Sequence, residues 1–153
     1  MIHVLFICHG NICRSPMAEF LFQDMLIKKR LDQEFYIASA ATSREEIGNG
    51  VYPPAKKKLS SLGIDCSQKT ARQVTKKDYN DFDYLLVMES YNTKNLMRIL
   101  GDDPQKKVYR LLDFADHPRD IADPWYSGNF DITHTDIMEG LEAFLASALK
   151  QQP

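Results

Sequence analysis

The apolar run Val4-Leu5-Phe6-Ile7 passes without a break into Cys8-His9-Gly10-Asn11-Ile12-Cys13-Arg14-Ser15-Pro16, and this junction constrains the fold more than any other stretch. A continuous apolar run of strand length, closed by a glycine-containing turn, suits a strand covered on both faces, as strands inside a parallel sheet are. Beyond the turn the period changes. Ser15-Pro16 offers an N-cap with proline at the first helical position, Met17, Leu21 and Met25 recur at every fourth residue, and Lys28-Lys29-Arg30 puts cations at the C-terminal end of the dipole. A strand, a tight loop and a helix therefore follow one another directly.

The alternation continues along the chain. Strands are expected at residues 35–38, 84–88 and 108–112. Helices are expected at 55–62, stopped by Gly63, at 92–100, stopped by Gly101, and at the C-terminus, where Ile137, Leu141, Phe144, Leu145 and Ala148 share a face. Strands alternating with helices give an α/β fold: three αβα layers with a central four-stranded parallel sheet, doubly wound in the Rossmann or flavodoxin manner. With 153 residues, 44% of them hydrophobic, the chain fits one compact domain, so a single unit spanning 1–153 is expected. Ligands of such sheets sit at the carboxyl ends of strands, which directs attention to the loop after the first one.

Charge and cysteine usage narrow the functional classes. Lys and Arg (19) nearly balance Asp and Glu (21). That excludes the basic field on which non-specific nucleic-acid binding depends, and no nucleic-acid partner is expected. No run approaches the roughly 18 apolar residues of a spanning helix, and residues 1–7 lack a cationic n-region, so a cytoplasmic protein without a membrane partner is expected. Three cysteines, an odd number, suit a reducing compartment in which thiols are reactive or buried rather than bridged. His3, His9, His117 and His134 show no ligand spacing, and neither a metal nor another cofactor is expected.

The loop itself carries chemistry. Cys8 and Arg14 bracket a five-residue arc the size of one tetrahedral anion, and the backbone N–H groups from His9 through Gly10, Asn11, Ile12 and Cys13 can turn inward toward the positive end of the helix. Gly10 and Asn11 are residue types that tolerate the unusual backbone angles of such a cradle. Arg14 adds a planar fork for two phosphoryl oxygens. Thiols beside helix N-termini and cations ionise more readily, which makes Cys8 the candidate nucleophile.

The segment from Val4 to Glu19 closely resembles the N-terminal signature of the low-molecular-weight protein tyrosine phosphatases. Further matches are Ser39-Ala40-Ala41-Thr42-Ser43, Gly63-Ile64-Asp65, Ala71-Arg72-Gln73-Val74, Phe82-Asp83-Tyr84 and Asp123-Pro124-Trp125-Tyr126. The resemblance implies metal-independent hydrolysis of phosphotyrosine, in proteins or as small aryl phosphates, through a phosphocysteine on Cys8. In that scheme Arg14 holds phosphate and Asp123 is general acid and then base. A thiolate working beside a protonated acid implies a bell-shaped pH dependence on the acidic side of neutrality. The resemblance further makes Ser15 a hydrogen-bond donor to the Cys8 sulfur, Asn11 a loop brace supported by Ser39, and Trp125 and Tyr126 an aromatic wall. It also implies a reversible Cys8–Cys13 disulfide and a monomer that forms at most a weak dimer. Where many members carry an aromatic residue on the opposite wall, this chain has Arg44-Glu45-Glu46-Ile47, so Glu45 is the candidate there. Glu89 stands where an aspartate is common and is a candidate support for Arg14.

Two rivals share the loop. A thioredoxin-coupled arsenate reductase needs two further cysteines near the third strand, whereas residues 78–100 contain none and Cys66 lies too early. A phosphate-binding module without turnover would not need Asp123 alongside Cys8, Arg14 and Ser15.

Overall fold

The computed structural model describes residues 1–151; the last two residues of the expected 1–153 unit lie outside that range. In chain order the elements are β1 (Ile2–Cys8), α1 (Arg14–Lys28), β2 (Phe35–Ala41), α2 (Pro53–Ser61), α3 (Lys76–Asp81), β3 (Tyr84–Val87), α4 (Ser90–Leu100), β4 (Val108–Arg110), α5 (Pro124–Ser127) and α6 (Phe130–Lys150). The four strands form one parallel sheet in the order β2-β1-β3-β4. The α/β, three-layer, doubly wound class expected from the sequence is the one observed.

The period of two along β1 builds both faces of the sheet. Val4, Phe6 and Cys8 join a core with α1 and α6 side chains such as Met17, Phe22, Leu141 and Phe144, whereas Leu5 and Ile7 join a second core with Tyr79, Phe82 and Leu96. Phe22 stands edge-on to Phe6 and Phe35, at centroid distances of 5.9 and 5.5 Å. Because β1 lies between β2 and β3, its carboxyl end is the topological switch point, and the crevice there receives the loop of interest.

Several local expectations are corrected. Ser15 is not an N-cap: α1 begins at Arg14 with Cys13 as the cap residue, and the Ser15 hydroxyl is engaged by Cys8 and Asn11 instead. The second strand runs on to Ala41, where small side chains let it pair with β1 up to Cys8. The third strand ends at Val87, with Met88 buried just beyond it. The fourth strand stops at Arg110, and Leu111–Phe114 turns into a 3₁₀ helix that buries Leu111 and Leu112. The second helix starts at Pro53, with two prolines in its first turn where no intrahelical N–H is required. Helix α3 has no predicted counterpart; a Thr75/Asp78 capping box starts it.

Candidate active site

Cys8 ends β1 and Arg14 begins α1, and the loop between them curls with its carbonyls turned to the surrounding protein. Those of Cys8, His9 and Ile12 accept from the N–H groups of Thr42, Ser43 and Tyr52 at 3.0, 3.0 and 2.7 Å, and that of Cys13 accepts from Met17 at 3.0 Å. None of the N–H groups of His9, Gly10, Asn11, Ile12 and Cys13 finds an acceptor among the described residues. Successive backbone donors without a protein acceptor form an anion nest, here at the positive end of α1.

Asn11 fixes this shape. It is the loop's one residue with positive φ, at 58°, whereas Gly10, expected to share that task, is outside the left-handed region. The side chain is 1% exposed. Its Nδ2 donates to Ser15 Oγ at 2.8 Å and Ser39 Oγ at 2.9 Å, and its Oδ1 accepts from the Arg72 N–H at 3.2 Å. Ser39 donates to Glu19, and Lys69 Nζ donates to the Ser39 carbonyl at 2.9 Å. Burial pushes the Lys69 ammonium below its ordinary pKa, with Glu19 opposing the shift. Asn11→Ala removes three buried hydrogen bonds and leaves alanine in a left-handed conformation. A loss of about 1–3 kcal/mol in thermal unfolding is expected, together with weaker phosphate binding by calorimetry.

Ser15 accepts from Asn11, so its own proton is free for the sulfur. Ser15 Oγ lies 3.0 Å from Cys8 Sγ and the Ser15 N–H donates to the same sulfur at 3.4 Å. Two groups of one residue thus converge on the Cys8 sulfur. At Cys13 burial, reinforced by the negative charges of Cys8 and Asp123 and only partly offset by Arg14, holds the thiol far above the ordinary range. Cys8, Cys13 and Cys66 are all free and buried.

Arg14 is buried beneath the loop. Its Nη1 donates to Glu89 and, at 2.7 Å, to the Ile121 carbonyl, and its Nη2 is 3.5 Å from Asp123 Oδ2. Burial alone would lower the guanidinium pKa; the charges of Cys8, Glu89 and Asp123 outweigh it and raise the net value. No hydrogen bond to a described residue occupies Nε or Nη2, which leaves one planar edge for a ligand.

Asp123 faces this assembly from the far end of the chain. It caps α5, with Oδ1 accepting the Trp125 N–H at 3.0 Å, and Pro124 stiffens the backbone beside it. A cleft of about 310 Å³ unites Cys8, Arg14, Asp123, Trp125, Tyr126 and Glu45. Glu45 Oε2 lies 3.0 Å from His9 Nε2 across the rim. Trp125 leans on Tyr52, with ring centroids 4.8 Å apart, and Tyr52 also stacks near Phe130 at 6.1 Å. Tyr126 is 87% exposed.

Two contributors escaped sequence reasoning. Tyr52 braces both the Ile12 carbonyl and Trp125, and nothing in its local sequence signals this. Glu19 was readable in principle, because it stands one turn after Ser15 on the helix face that also carries the buried Ala18 and Phe22. Among the described residues no group of three or more His, Cys, Asp or Glu side chains has metal-binding geometry, and no helix is long and apolar enough to cross a membrane.

Comparison with known proteins identifies a family. Residues 3–153 match the family model described as low molecular weight phosphotyrosine protein phosphatase. The chain is similar to the low molecular weight protein-tyrosine-phosphatase YfkJ of Bacillus subtilis (strain 168), 39% identical over 154 residues and covering 99% of each chain. The crystal structure of YfkJ superposes with a TM-score of 0.93, covering 100% of this chain and 98% of that one. The chain is also similar to the low molecular weight phosphotyrosine protein phosphatase of Homo sapiens, 35% identical over 164 residues, covering 95% of this chain and 94% of the human one.

Proposed function

The chain belongs to the low molecular weight phosphotyrosine protein phosphatase family, and from that premise we propose that it hydrolyses phosphotyrosine in proteins, and small aryl phosphates, through a phosphocysteine formed on Cys8. The observation that carries this reading is the nest of five loop N–H groups without an acceptor among the described residues, four of them on residues that line the cleft with Cys8 and Arg14. A phosphoryl group seated there places phosphorus in line with the sulfur, while the nest and the Arg14 fork hold the charge that spreads over its equatorial oxygens.

The reaction takes two steps. Cys8 thiolate forms the S–P bond as the P–O bond to the phenol breaks, and Asp123 gives its proton to the departing phenolate oxygen. Asp123, now a carboxylate, takes a proton from the water that attacks phosphorus. The S–P bond breaks, inorganic phosphate leaves and the thiolate returns. Ser15 donates to that sulfur throughout and eases its departure. Trp125 and Tyr126 wall the entrance on one side, with Glu45 and His9 on the other, and the acting unit is the whole chain, residues 1–153.

Steady-state hydrolysis of p-nitrophenyl phosphate in EDTA tests the role of Asp123. Asp123→Ala is expected to lower kcat by about 10²–10⁴-fold. An unchanged kcat would remove Asp123 from the reaction.

A further inference from the structure

Apart from the acid Asp123, four carboxylates, those of Glu45, Glu46, Glu89 and Asp120, line the phosphate cleft and a second cleft of about 760 Å³ that adjoins it. The basic side chains lining the two are Arg14 and His9, and both are engaged: Arg14 lies buried against Glu89 and Asp123, and His9 pairs with Glu45. Arg110 holds Asp120 at 3.0 Å, and Glu46 accepts from Asn49 Nδ2 at 2.6 Å. Beyond the seat of the phosphoryl group, the mouth therefore presents negative charge to a ligand that is itself a dianion. A substrate avoids that repulsion when it carries its own cation beside the phosphate.

Glu45 is placed to read such a cation. It lines both clefts, and its side chain is 70% exposed, with His9 orienting one of its oxygens. The second cleft is edged by Tyr91 and Tyr126, 57% and 87% exposed, whose ring faces suit a guanidinium or ammonium group. Asn92, fully buried, lines the same cleft, and its amide nitrogen has no acceptor among the described residues.

We infer that Glu45 is a specificity-determining residue and that the second cleft takes an arginine or lysine side chain flanking the phosphotyrosine. The inference rests on the phosphatase reading above and names the substrates that this site prefers. An aromatic residue on the wall would grip the tyrosyl ring whatever its neighbours, whereas a carboxylate discriminates among the neighbours.

The test uses two phosphotyrosine peptides that differ in one residue beside the phosphotyrosine, Arg or Glu, with kcat/KM measured for each on the unaltered protein and on Glu45→Lys. The ratio of the two values within one protein cancels any general loss of activity. An Arg-over-Glu ratio of about tenfold is expected for the unaltered protein, since exchanging a surface attraction for an equal repulsion squares a roughly threefold effect. The ratio is expected to fall below one in Glu45→Lys and to shrink in high salt. A ratio near one in the unaltered protein, or one that Glu45→Lys leaves unchanged, would overturn the inference. Hydrolysis of p-nitrophenyl phosphate in the same samples separates the two failures: if it too is absent, the phosphatase reading falls; if it persists, this inference alone falls.

Discussion

Arg14→Lys is expected to cut kcat/KM for an aryl phosphate by about 10³-fold although the charge at the position is kept. In the unaltered protein Nη1 is committed to Glu89 and the Ile121 carbonyl, which leaves Nε and Nη2 as a rigid pair for two phosphoryl oxygens. A lysine has one nitrogen for all of these tasks. If it stays with Glu89, the phosphoryl oxygens lose their partner as charge builds; if it turns to phosphate, Glu89 and the Ile121 carbonyl are left unpaired. Steady-state kinetics with a thermal unfolding scan distinguishes lost catalysis from lost folding. A folded variant within about tenfold of the unaltered rate would show that charge, not the fork, is what matters at this position.

Cys8→Ser is expected to remove turnover altogether, a loss of about 10⁵-fold or more, and to leave the protein able to bind inorganic phosphate. The nest and Arg14 do not depend on the sulfur, so the seat survives the substitution. The nucleophile does not survive, because a buried serine hydroxyl at the same point keeps its proton near neutrality. The hydrogen bond from Ser15 that helps an anion at sulfur finds a neutral hydroxyl instead. Calorimetric phosphate binding together with a null hydrolysis assay checks both halves. Retained turnover in Cys8→Ser would place the nucleophile elsewhere.

What was legible in the sequence follows from how local each signal is. The junction from Val4 to Pro16 combines a change of hydrophobic period with a cysteine, an arginine and a serine at fixed spacing, so strand, cradle and helix can be read within a dozen or so residues. Helix α3 was missed because Lys76–Asp81 is polar around a single tyrosine and has no apolar period to detect; only the threonine and aspartate of its capping box mark it. Ser15 was misread for the opposite reason. Its local signal is that of a cap, and the tertiary contact with Cys8 overrides it. The pairing of His9 with Glu45 and the support of Trp125 by Tyr52 join segments that are distant in sequence, and no pattern within either segment announces the partner. Asp123 lies between these cases: an Asp-Pro dipeptide is a common turn, and only its placement opposite Arg14, with Oδ2 at 3.5 Å from Nη2, distinguishes it physically.

The claim on which the rest depends is that the phosphoryl group rests covalently on Cys8 during turnover. The direct measurement is rapid mixing with an aryl phosphate in EDTA, a denaturing quench during steady state, and mass spectrometry of the peptide that bears Cys8. It should be run on the unaltered protein and on Asp123→Ala, which lacks the base for the second step. One phosphoryl group on Cys8 is expected, with a larger phosphorylated fraction in Asp123→Ala when its second step is the slower one. Continued release of phosphate with no phosphoryl group on Cys8 in either protein would contradict it.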